Sequence, residues 1–281
     1  MRQALKSKLE AVRAAVTRQG RADAALPPLT GIVSVSGGLD SRLLAHVLRQ
    51  WDLPFTAVHV TGPHIPMRES ARAVAWLAAQ GRPFHTVEAD PLNRVEVLHN
   101  GRQRCYVCKG VMFRRIASLA RELGAELVVE GSHADDLQGY RPGLTALAEL
   151  GVVSPWALAG IRKAELRELA RELGLADPEQ PSRPCLFTRL EYGMIVSAEL
   201  LRKTAEVEQE VEGLGLRDFR LRLHADGRIV VQIHARERGH ARGHERAVLA
   251  MVRERFATPP QILYSETVSG YFDDNAGQAD A

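Results

Sequence analysis

The sequence predicts an α/β protein: a parallel, doubly wound sheet followed by a small C-terminal α+β domain. Three observations predict it. From residue 31 onward short β-branched runs, GIVSVSG, PFTAVHVTG, PFHTVEAD, AELVVEGS and GVVSPWAL, alternate with helical patterns, the alternation that produces a sheet covered by helices. A proline-rich stretch, ADPEQPSRPC, then makes a continuous helix untenable, and beyond it the pattern changes to helix, two strands, helix and strand. Finally, 281 residues leave room for a main domain and a smaller partner. The boundary is placed near residue 190, giving domains 1–190 and 191–281.

The elements follow in chain order. MRQALKSKLEAVRAAVTRQG reads as an amphipathic helix that lacks the apolar core of a signal peptide. After the first strand and its turn, Leu43, Leu44, Val47, Leu48 and Trp51 recur at helical spacing, so Asp40 and Ser41 lie at a helix N-terminus. RKAELRELARELGL is an acid- and base-laced helix that closes the first domain. The second domain reads as a helix over 197–213, two strands joined at Asp226–Gly227, a helix over about 240–256 and a last strand, QILYSETV. The chain is 45% hydrophobic and 25% charged, as folded globular proteins are. No apolar window is long enough to span a membrane, so the expectation is a cytoplasmic protein with no membrane partner. A net charge of +3 is too mild to argue for nucleic acid.

The turn VSVSGGLDSRLL is the first chemical signal. Glycines let a strand-to-helix loop curl tightly and aim several N–H groups at one point, which attracts an anion. The hydroxyls of Ser36 and Ser41, the backbone at Gly37 and Gly38 and the helix N-terminus suit a phosphate or pyrophosphate, while Asp40 can carry magnesium or orient the loop. The plainer alternative is a glycine turn with Asp40 as helix cap. The Gly-Lys-Ser/Thr of a Walker loop is missing, which disfavours γ-phosphoryl transfer.

The three cysteines are the second signal. An odd number without an export signal argues against a disulfide framework and for metal or thiol chemistry. Cys105 and Cys108 stand three apart at the start of a helical pattern, where a helix N-terminus favours thiolates. Cys185 lies in the proline-rich loop. Four readings stay open: zinc held with a histidine such as His133, inert buried thiols, a redox pair, or an iron–sulfur cluster on three thiolates. Spacing alone does not separate zinc from cluster. Two further groups are candidates for substrate contact. Glu130, Asp135 and Asp136 follow a strand, where open parallel sheets place ligands, although helix capping is an equal alternative for the aspartates. Arg220 and Arg222 share one face of a strand whose other face is apolar, a fork suited to a phosphate and a carboxylate.

SVSGGLDS resembles the signature of the PP-loop ATP pyrophosphatases, of adenine nucleotide alpha hydrolase-like fold, which cleave ATP between the α- and β-phosphates. Read with RCYVCK, EGSHADDLQGYRPG, ELGVVSPWALAGIRKAELRELARELGL, RPCLFTRLEYG and FRLRLHADGRIVV, it resembles the LarE group of PP-loop sulfur transferases, which build the nickel-pincer nucleotide cofactor. These strings span roughly residues 31–232. The resemblance implies that ATP and magnesium serve to adenylate a carboxylate of a pyridinium dicarboxylate mononucleotide, and that sulfur then displaces AMP. It implies Cys185 as the sulfur-handling cysteine. It further implies that Cys105, Cys108 and Cys185 ligate a four-iron four-sulfur cluster carrying an added sulfide, with sacrifice of the Cys185 sulfur as the alternative. It implies as well that the matching arginines, Arg220 and Arg222, line the substrate site, that sulfide or a sulfur-donor protein supplies sulfur, and that the protein is a homo-oligomer. The chain departs from the family's pattern at His133, at Val230 or Val231, and in the C-terminal stretch QILYSETVSGYFDD. The rival functions are tRNA thiolation, an ATP-dependent ligase with structural zinc, and a nucleotide sensor. Eight arginines between 217 and 246 speak for tRNA; with 5% aromatic residues and no stacking platform, tRNA is disfavoured.

Overall fold

The computed structural model describes residues 2–17, 30–139 and 141–273. In chain order the regular elements are α1 (Gln3–Val16), β1 (Gly31–Ser34), α2 (Leu39–Gln50), β2 (Phe55–Thr61), α3 (Met67–Ala79), β3 (Phe84–Glu88), α4 (Val95–Leu98), α5 (Arg104–Glu122), β4 (Leu127–Val129), α6 (Pro142–Glu149), α7 (Pro155–Leu158) and α8 (Lys163–Glu172). They continue with α9 (Ala198–Gly213), β5 (Phe219–Leu223), β6 (Ile229–His234), α10 (Arg238–Arg242), α11 (Glu245–Phe256) and β7 (Gln261–Ser265). The chain forms two compact units, one of residues 1–62, 69–91 and 105–182, the other of 63–68, 92–104 and 183–281.

The first unit is a four-stranded, wholly parallel sheet in the order β3-β2-β1-β4, flanked by helices. Its core gathers one stripe of each amphipathic helix: Leu5, Val12 and Val16 from α1, Leu39, Leu43, Leu44, Val47 and Leu48 from α2, and Leu166, Leu169 and Ala170 from α8. Burying such side chains contributes roughly 1.5–3 kcal/mol each, which fixes the helices on the sheet. The order reverses at β1, which pairs with β2 on one side and β4 on the other. In parallel sheets a crevice opens outside the strand ends at such a reversal, and ligands bind there. The fifth strand suggested by GVVSPWAL is reduced to a single bridge between Val129 and Val153. Pro155, with no N–H to give a ladder, opens α7 instead.

The second unit carries a three-stranded mixed sheet, β5-β6-β7, with the first pair antiparallel and the second parallel. Its core combines Val207 and Val211 of α9, Phe219, Leu221 and Leu223 of β5, Val231 and Ile233 of β6, and Val248 and Val252 of α11. Among the described residues no helix is long and apolar enough to cross a membrane.

Candidate active site

In the first unit the candidate site is built on the loop between β1 and α2. Gly37 has φ +89, a conformation side chains disfavour, and a Cβ there would stand 2.9 Å from the Ala73 Cβ. The resulting curl closes on itself. The Ser36 N–H donates to Ser41 Oγ (3.1 Å), the two hydroxyl oxygens are 3.1 Å apart, and Ser41 Oγ donates to the Gly38 carbonyl (3.1 Å). The Val35 carbonyl that precedes the curl accepts from Nδ1 of the buried His59 (2.8 Å), whose Nε2 meets Ser70 Oγ at 3.0 Å. Burial pushes this imidazole's pKa down, which keeps it neutral, with Nδ1–H as the donor. Gly38, not Asp40, caps α2, and no side chain caps it; the first-turn N–H groups are therefore left for a ligand.

Asp40 is instead held by charge. Lys163, first residue of α8, donates Nζ to Asp40 Oδ1 at 2.5 Å, both side chains being 25% exposed, and Trp156 Nε1 donates to the Asp40 carbonyl (3.1 Å). His133 Nε2 stands 4.0 Å from Asp40 Oδ2. The expected acidic residues gather here and accept hydrogen bonds from neighbouring N–H and hydroxyl groups. Glu130, buried at the end of β4, accepts from Ser132 N (3.0 Å), Ser132 Oγ (2.9 Å) and Ser154 Oγ. Asp136 accepts the His133 N–H (3.1 Å) and Asp135 the Lys163 N–H (2.8 Å), so each closes the start of a helical turn. Gly131 follows Glu130 in the chain, and a Cβ there would lie 2.8 Å from Ser41 N. Behind the loop, Arg42 donates to the Ala176 carbonyl (3.1 Å) and to Gln180 Oε1 (2.6 Å).

Sequence reasoning missed Lys163, His59 and Gly131. Lys163 had a signal: a cation at a helix N-terminus opposes the helix dipole and asks for a nearby carboxylate. His59, flanked by Val58 and Val60 in a buried strand, had a weaker one.

Cys105 and Cys108 are the second and fifth residues of α5 in the first unit, Cys108 buried with its thiol 3.7 Å from Met112 Sδ. Cys185, in the second unit, precedes the short 3-10 turn Leu186–Arg189 and is half-buried. None of the three forms a disulfide. Among the described residues no group of three or more histidine, cysteine, aspartate or glutamate side chains is gathered to hold a metal ion. The helical pair offers two thiols to a metal–sulfur centre from the first unit, and Cys185 offers the third from the second.

In the second unit Arg220 and Arg222 do share a strand face, but that face is covered: each is 3% exposed. Arg222 donates Nε to Gln232 Oε1 (2.9 Å), Nη1 to the Thr188 carbonyl (2.6 Å) and Nη2 to the Val268 carbonyl, and its guanidinium lies 5.1 Å from the Tyr271 ring centre. Arg220 Nη1 donates to the Phe219 carbonyl (2.5 Å) and stands 4.0 Å from Asp218. Burial, reinforced by the like charge of Arg189, lowers Arg220 to about 10 and Arg222 to about 9. Arg189 is paired in turn with Glu208 (2.8 Å). Burial pushes the Glu208 carboxyl up, but Arg189 outweighs it and the group sits below its ordinary value. A buried set richer in guanidinium than in carboxylate favours an anion.

A glycine-curled loop at the reversal point of a parallel sheet is an arrangement suited to holding a phosphate on backbone and hydroxyl groups, as nucleotide-binding α/β proteins do. No protein-family model matches the chain. It is 32% identical over 222 residues to an uncharacterized protein of Synechocystis sp., covering 78% of each chain. It is 27% identical over 215 residues to the pyridinium-3,5-bisthiocarboxylic acid mononucleotide synthase of Lactiplantibacillus plantarum, covering 75% of this chain and 77% of that one. It is 31% identical over 117 residues to a tRNA-cytidine(32) 2-sulfurtransferase of Neisseria meningitidis, covering 38% of this chain and 35% of that one. The chain belongs to the PP-loop ATP-pyrophosphatase and sulfurtransferase superfamily, whose membership supports an ATP-dependent sulfur-transfer reaction.

Proposed function

We propose that the chain activates a carboxylate of a pyridinium dicarboxylate mononucleotide with ATP and replaces one of its oxygens by sulfur. The observation that carries this reading is the Ser36–Ser41 curl with its Asp40–Lys163 pair, in a chain resembling the L. plantarum synthase over three quarters of its length. A carboxylate is a poor acylating group. Attack of its oxygen on the α-phosphorus forms a mixed anhydride and breaks the bond to the β-phosphate, so pyrophosphate leaves. Ser36, Gly37, Gly38 and Ser41 hold that pyrophosphate. Magnesium, which coordinates mostly phosphate oxygens and water, would be held on the protein side by Asp40 and would neutralise charge on the departing pyrophosphate. A sulfur nucleophile then attacks the acyl carbon, and AMP departs with the former carboxylate oxygen.

Cys105, Cys108 and Cys185 are the sulfur-handling residues in this reading. A four-iron four-sulfur cluster on their thiolates would present an added sulfide drawn from sulfide or a donor protein; the alternative spends the sulfur of Cys185 itself. Arg220 and Arg222 supply positive charge for the substrate's anionic groups, and assembly into a homo-oligomer belongs to the same reading. The test is an anaerobic incubation with ATP, magnesium, sulfide and the dicarboxylate mononucleotide, followed by mass analysis. Product with oxygen replaced by sulfur and an unchanged protein supports the sulfide route. Dehydroalanine at position 185 supports the sacrificial one, and an unmodified substrate refutes both.

The likeness to the tRNA sulfurtransferase favours thiolation of a tRNA base as the second reading. The arginine-rich segment lends it little. Arg220 and Arg222 are buried, Arg228 pairs with Asp226 (2.6 Å), Arg236 with Asp218 (2.5 Å), and Arg238 lies over Tyr264. Binding of tRNA that weakens steeply with salt would favour it over the small substrate.

A further inference from the structure

The backbone that carries Cys185 is reached on both sides by one buried side chain. Arg189, 3% exposed, gives one edge of its guanidinium to Glu208 of α9, Nε to Oε1 at 2.9 Å and Nη2 to Oε2 at 2.8 Å. Nη1 donates to the Pro184 carbonyl (2.8 Å), to Thr188 Oγ1 (3.0 Å) and, at 3.4 Å, to the Cys185 carbonyl. Those two carbonyls belong to the peptide planes on either side of the Cys185 Cα. Fixing both planes fixes φ (−58) and ψ (160) of Cys185, and with them the direction in which its Cα–Cβ bond leaves. The Cys185 carbonyl is also gripped by Thr188, through N–H (3.2 Å) and Oγ1 (2.9 Å), and the next N–H, Leu186, donates to the His64 carbonyl (2.9 Å).

Glu208 is itself anchored, since its Oε1 accepts the Leu221 N–H of β5 at 2.9 Å. A continuous run of charge-assisted hydrogen bonds therefore leads from α9 and β5 through a single guanidinium to both sides of the cysteine. Such bonds are roughly twice as strong as neutral ones, and the planar fork is what lets one side chain serve a carboxylate and two carbonyls together. We propose that Arg189, locked by Glu208, is the positioning residue that sets where the Cys185 thiol points. The proposal rests on the reading of Cys185 as a sulfur-handling thiol and adds how its direction is set.

The test uses the 281-residue chain carrying Cys105→Ser and Cys108→Ser, which leaves Cys185 as its one cysteine. Iodoacetamide alkylation is followed from pH 6 to pH 9 in that background and in Arg189→Lys and Glu208→Gln, with melting temperatures measured alongside. Lysine keeps the charge and loses the fork, so alkylation by the folded variant rises at least fivefold toward the rate of urea-unfolded protein. Glu208→Gln moves the same way and carries the test alone should Arg189→Lys fail to fold. In protein with all three cysteines, the same variants lose at least tenfold in sulfur-for-oxygen exchange. Folded variants that alkylate within twofold of the parent, whatever their melting temperatures, overturn the proposal. An unsubstituted enzyme that makes no thiolated product overturns instead the reading of the reaction, and the alkylation rates still decide the role of Arg189.

Discussion

Gly131→Ala tests whether the end of β4 sets the position of the phosphate loop. The added methyl would lie 2.8 Å from Ser41 N and 3.0 Å from both Asp40 C and Ser41 Cα, all backbone atoms of the first turn of α2. No rotamer change relieves such a contact. For ordinary contact the two backbones must separate by about half an ångström. Overpacking of this kind costs about 1–3 kcal/mol, or roughly 2–12 °C in melting temperature for a unit of this size. The functional cost is larger, because a shift approaching 1 Å in a group that positions substrate can lower a rate by about 100-fold. The assay is ATP binding by calorimetry and ATP-dependent pyrophosphate release, with Gly213→Ala as control: nothing lies within 4 Å of a Cβ there, and its stability should stay within about 0.5 kcal/mol of the parent. ATP affinity and turnover in Gly131→Ala within twofold of the parent would refute the reasoning.

Lys163→Met removes the cation 2.5 Å from Asp40 and leaves a carboxylate that is 25% exposed without its main partner. A loss of about 1–3 kcal/mol, seen by thermal melting, should accompany loss of ATP turnover; an active variant melting with the parent would contradict the role assigned to the pair. A second expectation concerns acid. Because the Glu208 carboxyl is held below its ordinary 4.5 in the folded protein, its contribution is complete above that value and disappears as pH falls through the lower folded one. Urea midpoints between pH 5 and pH 3 should therefore drop more steeply for the parent than for Glu208→Gln, and parallel curves would count against it.

What the sequence revealed was what neighbouring residues decide. The SGGLDS turn was legible because glycine φ preference and the helix after it act over a few positions, and the sheet was legible because β-branched runs alternate with 3.6-residue periods. Partners brought in by folding were not legible. Lys163 reaches Asp40 across 123 positions, and Asp135, read equally as ligand or cap, turned out to hold the first N–H of α8. Alternation put Arg220 and Arg222 on one face of β5, but a period of two does not tell whether that face meets water. Thr188 and Val268, far along the chain on either side, supply the carbonyls that cover Arg222. The cysteines mark the same limit, since a spacing of three fixes a helical edge for Cys105 and Cys108 and is silent on Cys185.

The most direct test of the central claim is the fate of ATP. Incubated with the pyridinium dicarboxylate mononucleotide and magnesium, the protein should yield pyrophosphate and a carboxyl-bound adenylate that releases AMP on adding sulfide. Formation of ADP and inorganic phosphate, or no dependence of cleavage on the carboxylate, would contradict it.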